Sequence, residues 1–222
     1  MPHASGYHSA AMTETLVVPR APFDMEEPWS TPQACAPVRL RRATDAAAPR
    51  LATSLAAWHD DQLVTFLFSG TDDHIHATYH HRDDPLYEQD VVELFIAPER
   101  LTRYFELEVS PHGTIFDAII DSPDGVRATM HAEKSWTCAG LVVMVRKVTE
   151  SSGVMSFDTL IRIPFASLER ETPADGEVWR ANFFRIDRHE QHGDEYSAWQ
   201  PTMKEPADFH VAAAFGAVRF VR

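Results

Sequence analysis

From residue 50 onward the chain runs as short apolar segments broken by turn residues. Residues 51–58 lead to His59-Asp60-Asp61, and residues 63–68 end at Ser69-Gly70. Residues 75–80 alternate, with Ile75, Ala77 and Tyr79 on one side. Residues 91–96 are almost continuously apolar and stop before Pro98. Residues 104–109 set Phe105, Leu107 and Val109 against Glu106 and Glu108, a period of two that belongs to a half-buried strand. Pro111-His112-Gly113 then reads as a turn, and residues 114–120 return, so this pair predicts a hairpin. Residues 126–130, 141–148, 154–163, 179–186 and 215–221 predict further strands. Residues 16–18 predict an edge strand closed by Pro19 and Pro22. Helical periodicity is confined to residues 164–169, one turn after a strand. The expected fold is all-β: an antiparallel β-sandwich, jelly-roll-like, with very little helix. Residues 1–15 are expected to form a disordered tail, and residues 16–222 one domain.

Composition narrows the function. The 222 residues are 44% apolar and 24% charged, enough for a core without staples. Twenty basic against 33 acidic residues give a net charge of −13. That balance speaks against nucleic acid and against anionic membrane surfaces, which recruit clustered Lys and Arg. A neutral ligand, or a cation held by carboxylates, suits it better. No stretch reaches the length of a membrane span, and residues 1–12 lack the apolar run of a signal peptide. The expected location is the cytoplasm, or an extracellular or periplasmic space reached with a leader since removed. Cys35 and Cys138 show no metal spacing; two buried free thiols are the favoured reading, with a disulfide the alternative.

Three segments together carry a resemblance. The first is Tyr87-Glu88-Gln89-Asp90-Val91-Val92-Glu93-Leu94-Phe95-Ile96. The second runs from Tyr104 to Thr114. The third runs from Trp179 through Asn182-Phe183-Phe184-Arg185 to Trp199, then Phe209-His210 and Phe215-Gly216. In this order they resemble the carbohydrate-binding module family 9-like proteins, within the wider DOMON superfamily of β-sandwiches. The resemblance implies non-catalytic binding of a glycan or small saccharide in a shallow cleft. Two aromatic rings clamp a terminal sugar there, and polar groups bond its hydroxyls. It implies no required cofactor, structural calcium in loops, and a hydrolase as partner. Trp199 is similar in position to one clamp ring, Glu88 to a hydroxyl-binding acid, and Arg185 and Asn182 to polar contacts. Tyr79 or Tyr87 stands where the second clamp tryptophan is absent. Glu106 stands where sugar binders carry a base.

Each of these residues also has a structural reading. Trp199 sits in a polar setting, with Gly193 upstream, which favours exposure; the alternative is a ring packed over the core edge. Arg185 shares a strand face with Phe183 and could pair with Asp187 or Glu195. Glu93, inside an apolar run, is costly unless it faces a ligand or solvent or is paired, and a structural pairing, with a residue such as Arg185, is favoured. His74, His76, His80 and His81 cluster without a fixed third metal ligand. Asp72-Asp73 and Asp83-Asp84 suit either calcium or solvated turns, and Asp121, Asp124 and Gly125 suit a turn. Two other functions stay open: a haem-binding electron-transfer sandwich with Met130, Met144, Met155 or Met203 as axial ligand, and a glycoside hydrolase. The sequence has no GxSxG, phosphate loop or dinucleotide glycine pattern.

Overall fold

A computed structural model describes residues 14–149 and 154–222. The expected tail therefore lies, but for its last two residues, outside the described residues. Strands follow in the order β1 (Thr15–Pro19), β2 (Val38–Arg39), β3 (Arg41–Arg42), β4 (Thr53–His59), β5 (Leu63–Asp72), β6 (Val91–Arg100) and β7 (Arg103–Val109). Then come β8 (Ile115–Asp121), β9 (His131–Glu133), β10 (Val142–Thr149), β11 (Met155–Pro164), β12 (Val178–Asp187), β13 (Glu195–Ala198) and β14 (Gly216–Val221). They form a nine-stranded sheet, β1-β14-β12-β6-β7-β8-β9 with β13 and β3 branching from β12, and a five-stranded sheet, β10-β11-β5-β4-β2. Strand β1 runs parallel to β14 at the edge; the other ladders are antiparallel. Among the described residues, helix is limited to short 3-10 turns, including Phe165–Leu168 where one turn is expected. This is the antiparallel sandwich that the alternation predicts.

The core lies between the sheets. Leu94, Ile96, Phe105, Leu107, Trp179 and Phe183 face Leu55, Phe66, Phe68, Ile161 and Ile163 across it. Their strand neighbours point outward, so each strand of the large sheet has a second face of its own. A second apolar layer covers the outer face of the small sheet, where Trp58 and Leu67 pack under Phe23 and Trp29. Arg162 lies over the Phe23 ring at 3.8 Å and Arg146 over Trp29 at 4.7 Å, tying residues 20–35 down by cation–π contact. Cys35 and Cys138 are free thiols, Cys138 buried and Cys35 partly so.

Two expected strands are absent. Residues 75–80 have no strand pairing, because side chains take their backbone donors. Asp90 accepts from the His76 N–H at 2.6 Å, Gln89 from Thr78 and Tyr79, and Asp84 from His80 and His81. Residues 126–130 instead follow a turn at Gly125, whose φ is +73°, and form the 3-10 turn Arg127–Thr129. The predicted β7–β8 hairpin is present, with Gly113 at φ +83° in its turn.

Candidate functional site

The outer face of the nine-stranded sheet holds the candidate site. Alternation places Val91, Glu93 and Phe95 of β6 there, with Tyr104, Glu106 and Glu108 of β7 and Phe116 of β8 beside them. Residues 204–215 fold back over part of this face. Phe209 stacks on Phe184 at 4.2 Å, and Phe95 is ringed by Tyr104, Phe184, His210 and Phe215. The uncovered remainder is an open cleft of about 940 Å³. Its floor is Glu93, Glu106, Phe116 and Ile120; residues 125–134 supply one wall and residues 204–211 the other. Tyr87, 40% exposed, stands at one end with its ring edge-on to Phe116 at 6.1 Å.

Charged groups converge on this hollow. The Lys134 ammonium lies over Phe116 and Tyr87, 5.4 and 5.9 Å from the ring centres. Arg127 donates to Asp208 at 3.0 Å, and Arg188 holds Tyr196, Asp194 and the Tyr87 carbonyl. On the floor, Glu93 faces Glu108 directly across the β6–β7 ladder, with Glu106 two residues along β7. One oxygen from each of the three lies within 4.8 Å of the others. Burial pushes the Glu106 carboxyl up to about 7. Burial and the neighbouring carboxyls hold Glu93 and Glu108 well above the ordinary range. Burial drives His210 down to about 3, so it stands neutral 3.8 Å from Glu106 while its Nδ1 hydrogen-bonds the Tyr104 hydroxyl.

The six expected ligand residues are scattered by the structure. Tyr87 lines the cleft. Tyr79 and Glu88 sit at the surface outside it, the tyrosine hydroxyl donating to Glu88 at 2.7 Å. Trp199 is 2% exposed, packs on Phe183 at 5.5 Å and lies in the core, out of reach of a ligand stacking from solvent. Asn182 is fully buried: its amide donates to the Gln200 carbonyl, and its oxygen accepts from the Gln200 and Phe183 N–H groups. Arg185 points between the sheets, donating to Asp72 at 2.9 Å, the Thr71 carbonyl at 2.8 Å and Thr53 at 3.1 Å. Asp187, the partner considered from sequence, is 3.9 Å away. Glu195 instead accepts from the Arg50 N–H. Register explains why Arg185 cannot serve Glu93: it lies opposite Val92, on the inner face.

The remaining candidates also resolve. Asp72 is held by Arg185 and Asp73 by Arg50 at 2.5 Å. The four clustered histidines diverge, His74 toward His189 and His80 toward His112. Asp73, His189 and His192 do approach one another, but Asp73 is committed to Arg50. The methionines disperse: Met144 packs on the outer face of the small sheet, Met130 lines the cleft and Met203 is 61% exposed. Glu93, Glu106, Arg127, Lys134 and Arg188 went unrecognised as a group. A signal was present: the Glu106–Glu108 face also carries Tyr104, and the matching face of β6 carries Val91 and Phe95. A strand face that mixes large apolar groups with carboxylates is covered in part and open in part.

The chain is thus a two-sheet β-sandwich with an open, polar-floored cleft on the larger sheet. Residues 43–220 match the family model for carbohydrate-binding family 9, and the chain belongs to that family. A relative described as an extracellular protein, from Arthroderma benhamiae, is 29% identical over 147 residues, 63% of this chain and 64% of its own length. The match thus spans less than two thirds of that relative. Among solved structures, a candidate carbohydrate-binding protein from Bacteroides uniformis superposes with a TM-score of 0.72 at 16% identity, over 94% of this chain and 99% of the other. A family 9 carbohydrate-binding module from Caldicellulosiruptor kristjanssonii, solved with cellotriose, gives a TM-score of 0.63 at 11% identity over 94% of each chain. The same source yields a glucose complex with a TM-score of 0.61 at 12% identity, over 94% of this chain and 97% of the other. These structural likenesses establish a shared fold.

Proposed function

We propose that this chain binds a carbohydrate in the cleft on the outer face of its nine-stranded sheet. The observation that carries the reading is the cleft itself: an exposed tyrosine ring beside a floor and rim of charged hydrogen-bonding groups. A sugar presents an apolar C–H face ringed by hydroxyls. Tyr87, backed by Phe116, offers a surface for the face. Lys134 offers a charge-assisted bond to the hydroxyls, the kind needed to compete with water, and Glu93, Glu106, Arg127 and Arg188 add further hydrogen-bonding groups around it. The volume lies within the range of small-ligand sites, roughly 300–1,000 Å³. Family membership and the sugar-bound relatives support the same reading.

The floor carboxyls do not form a glycosidase pair among themselves. Glycosidases place two of them on either side of the scissile bond, about 5–9.5 Å apart. Here the three acids lie side by side on one floor, within 4.8 Å, leaving no room for a sugar ring between them.

The test is calorimetric titration of the chain with glucose and cello-oligosaccharides, alongside Tyr87→Ala and Arg127→Ala. Tyr87 is 40% exposed and the Arg127 side chain 60%, so both variants are expected to fold as the parent does. Each should weaken binding about tenfold, the equivalent of about 1.4 kcal/mol. Unchanged affinity in both variants would remove the cleft from consideration.

A further inference from the structure

The floor of the cleft has a charge problem that a neutral sugar does not solve. Glu93, Glu106 and Glu108 are 2%, 5% and 0% exposed. Oε1 of Glu93 has no hydrogen-bond partner. Among the described residues, no Lys or Arg comes within salt-bridge distance of any of the three, and the near neighbour His210 is neutral. Of the rim cations, Arg127 is paired with Asp208, Arg188 with Asp194, and Lys134 lies over the Phe116 and Tyr87 rings, so each acts on the floor only from a distance. Buried carboxylates without a counter-charge are costly, and adjacent ones more so. The trio must keep protons or receive a cation.

We propose that the cleft selects a carbohydrate bearing a free, protonated amino group, which docks on the Glu93–Glu106–Glu108 floor. This rests on the reading that the cleft is the sugar site. An ammonium carries three N–H donors and no acceptor. Three acceptors at hydrogen-bond distance, about 2.8 Å, around a tetrahedral nitrogen lie about 4.6 Å from one another. The three floor oxygens fall within that envelope, at 4.8 Å or less. Glu93 and Glu106 open to the cleft and accept from the amine, and the Glu108 oxygen lies beneath them as the third acceptor. An N-acetylated sugar has neither the charge nor the three donors. The chain's net charge of −13 draws a cationic ligand toward the protein from a distance.

The experiment compares three matched disaccharides on the intact chain: the glucosamine dimer, its N-acetylated form and cellobiose. The amine should bind at least tenfold more tightly than either neutral ligand. In Glu93→Gln and Glu108→Gln, which lift a repulsion and so should fold, that ratio should fall toward one. Binding of cellobiose without an amine preference overturns this inference and leaves the cleft reading standing. Failure of all three ligands to bind overturns both. A preference that survives in both variants assigns the attraction to overall charge and overturns the inference. So does a terbium luminescence titration showing that a metal ion alone occupies the trio and is lost in Glu108→Gln, since the floor is then a cation site.

Discussion

Replacing Glu106 by glutamine removes one ionisable group from the cleft floor while keeping the side chain's size. Its carboxyl is lifted from an ordinary 4.5 to about 7, chiefly by burial. An acid whose folded value lies above its unfolded value stabilises the fold fully at low pH. That contribution is lost as pH rises from about 4.5 through 7. The gap, at about 1.4 kcal/mol per pH unit, amounts to roughly 3 kcal/mol above pH 7. Glu106 is 5% exposed, so solvent screens little of it. Glutamine cannot ionise, and its presence also eases ionisation of Glu93 and Glu108. Glu106→Gln should therefore be more stable than the parent at pH 8 by up to roughly 3 kcal/mol, and close to it at pH 4.5. For a chain of this size that is an increase of about 6–12 °C in melting temperature at pH 8. Urea unfolding at the two pH values measures it. A variant no more stable at pH 8, or equally stabilised at both pH values, would refute the claim that the floor carries uncompensated charge.

Other predictions concern the supporting structure. Trp199→Ala should cost about 3–5 kcal/mol of stability, as a core ring does, which makes loss of binding in that variant uninformative about contact. Gly216→Ala should also destabilise sharply, since its Cβ would lie 2.4 Å from the Trp199 ring. Asp72→Ala leaves Arg185 buried without its carboxylate and should cost about 3–5 kcal/mol by urea denaturation; Asp72→Ala with Arg185→Leu should recover part of it. Burial holds the folded-state value of His210 far below its unfolded value, so it opposes folding as pH falls below 6.5 toward about 3. The stability of His210→Gln relative to the parent should accordingly grow across that range; a constant difference would contradict it.

The strands were legible because burial on one face imposes a period of two, which Phe105, Leu107 and Val109 display directly. The stretch at residues 75–80 has the same period, yet its backbone donors go to Gln89, Asp90 and Asp84, acceptors several residues ahead in the chain. Alternation cannot report that competition. Trp199 was misleading for a related reason. Its neighbours are polar, but Asn182 grips the backbone of Gln200, the Trp199 N–H reaches the Phe183 carbonyl at 2.8 Å, and Gly216 leaves space for the ring. All three contacts are long-range and appear only when β12 meets β14 and the segment after β13. Arg185 and Glu93 failed as a pair because pairing register, set by the whole sheet, puts them on opposite faces. The cleft walls come from connections, residues 125–134 and 204–211, which carry no periodic signal.

The most direct test of the central claim is to locate the sugar. A titration of the isotope-labelled chain with cellotriose, followed by amide chemical shifts, maps it residue by residue. The account predicts the largest changes at Tyr87, Gly125, Arg127, Lys134 and Ala207, along the two walls and the end of the cleft. Changes centred instead on the opening between the two sheets, around Val145 of β10 and Phe157 of β11, would show that the sugar site lies elsewhere.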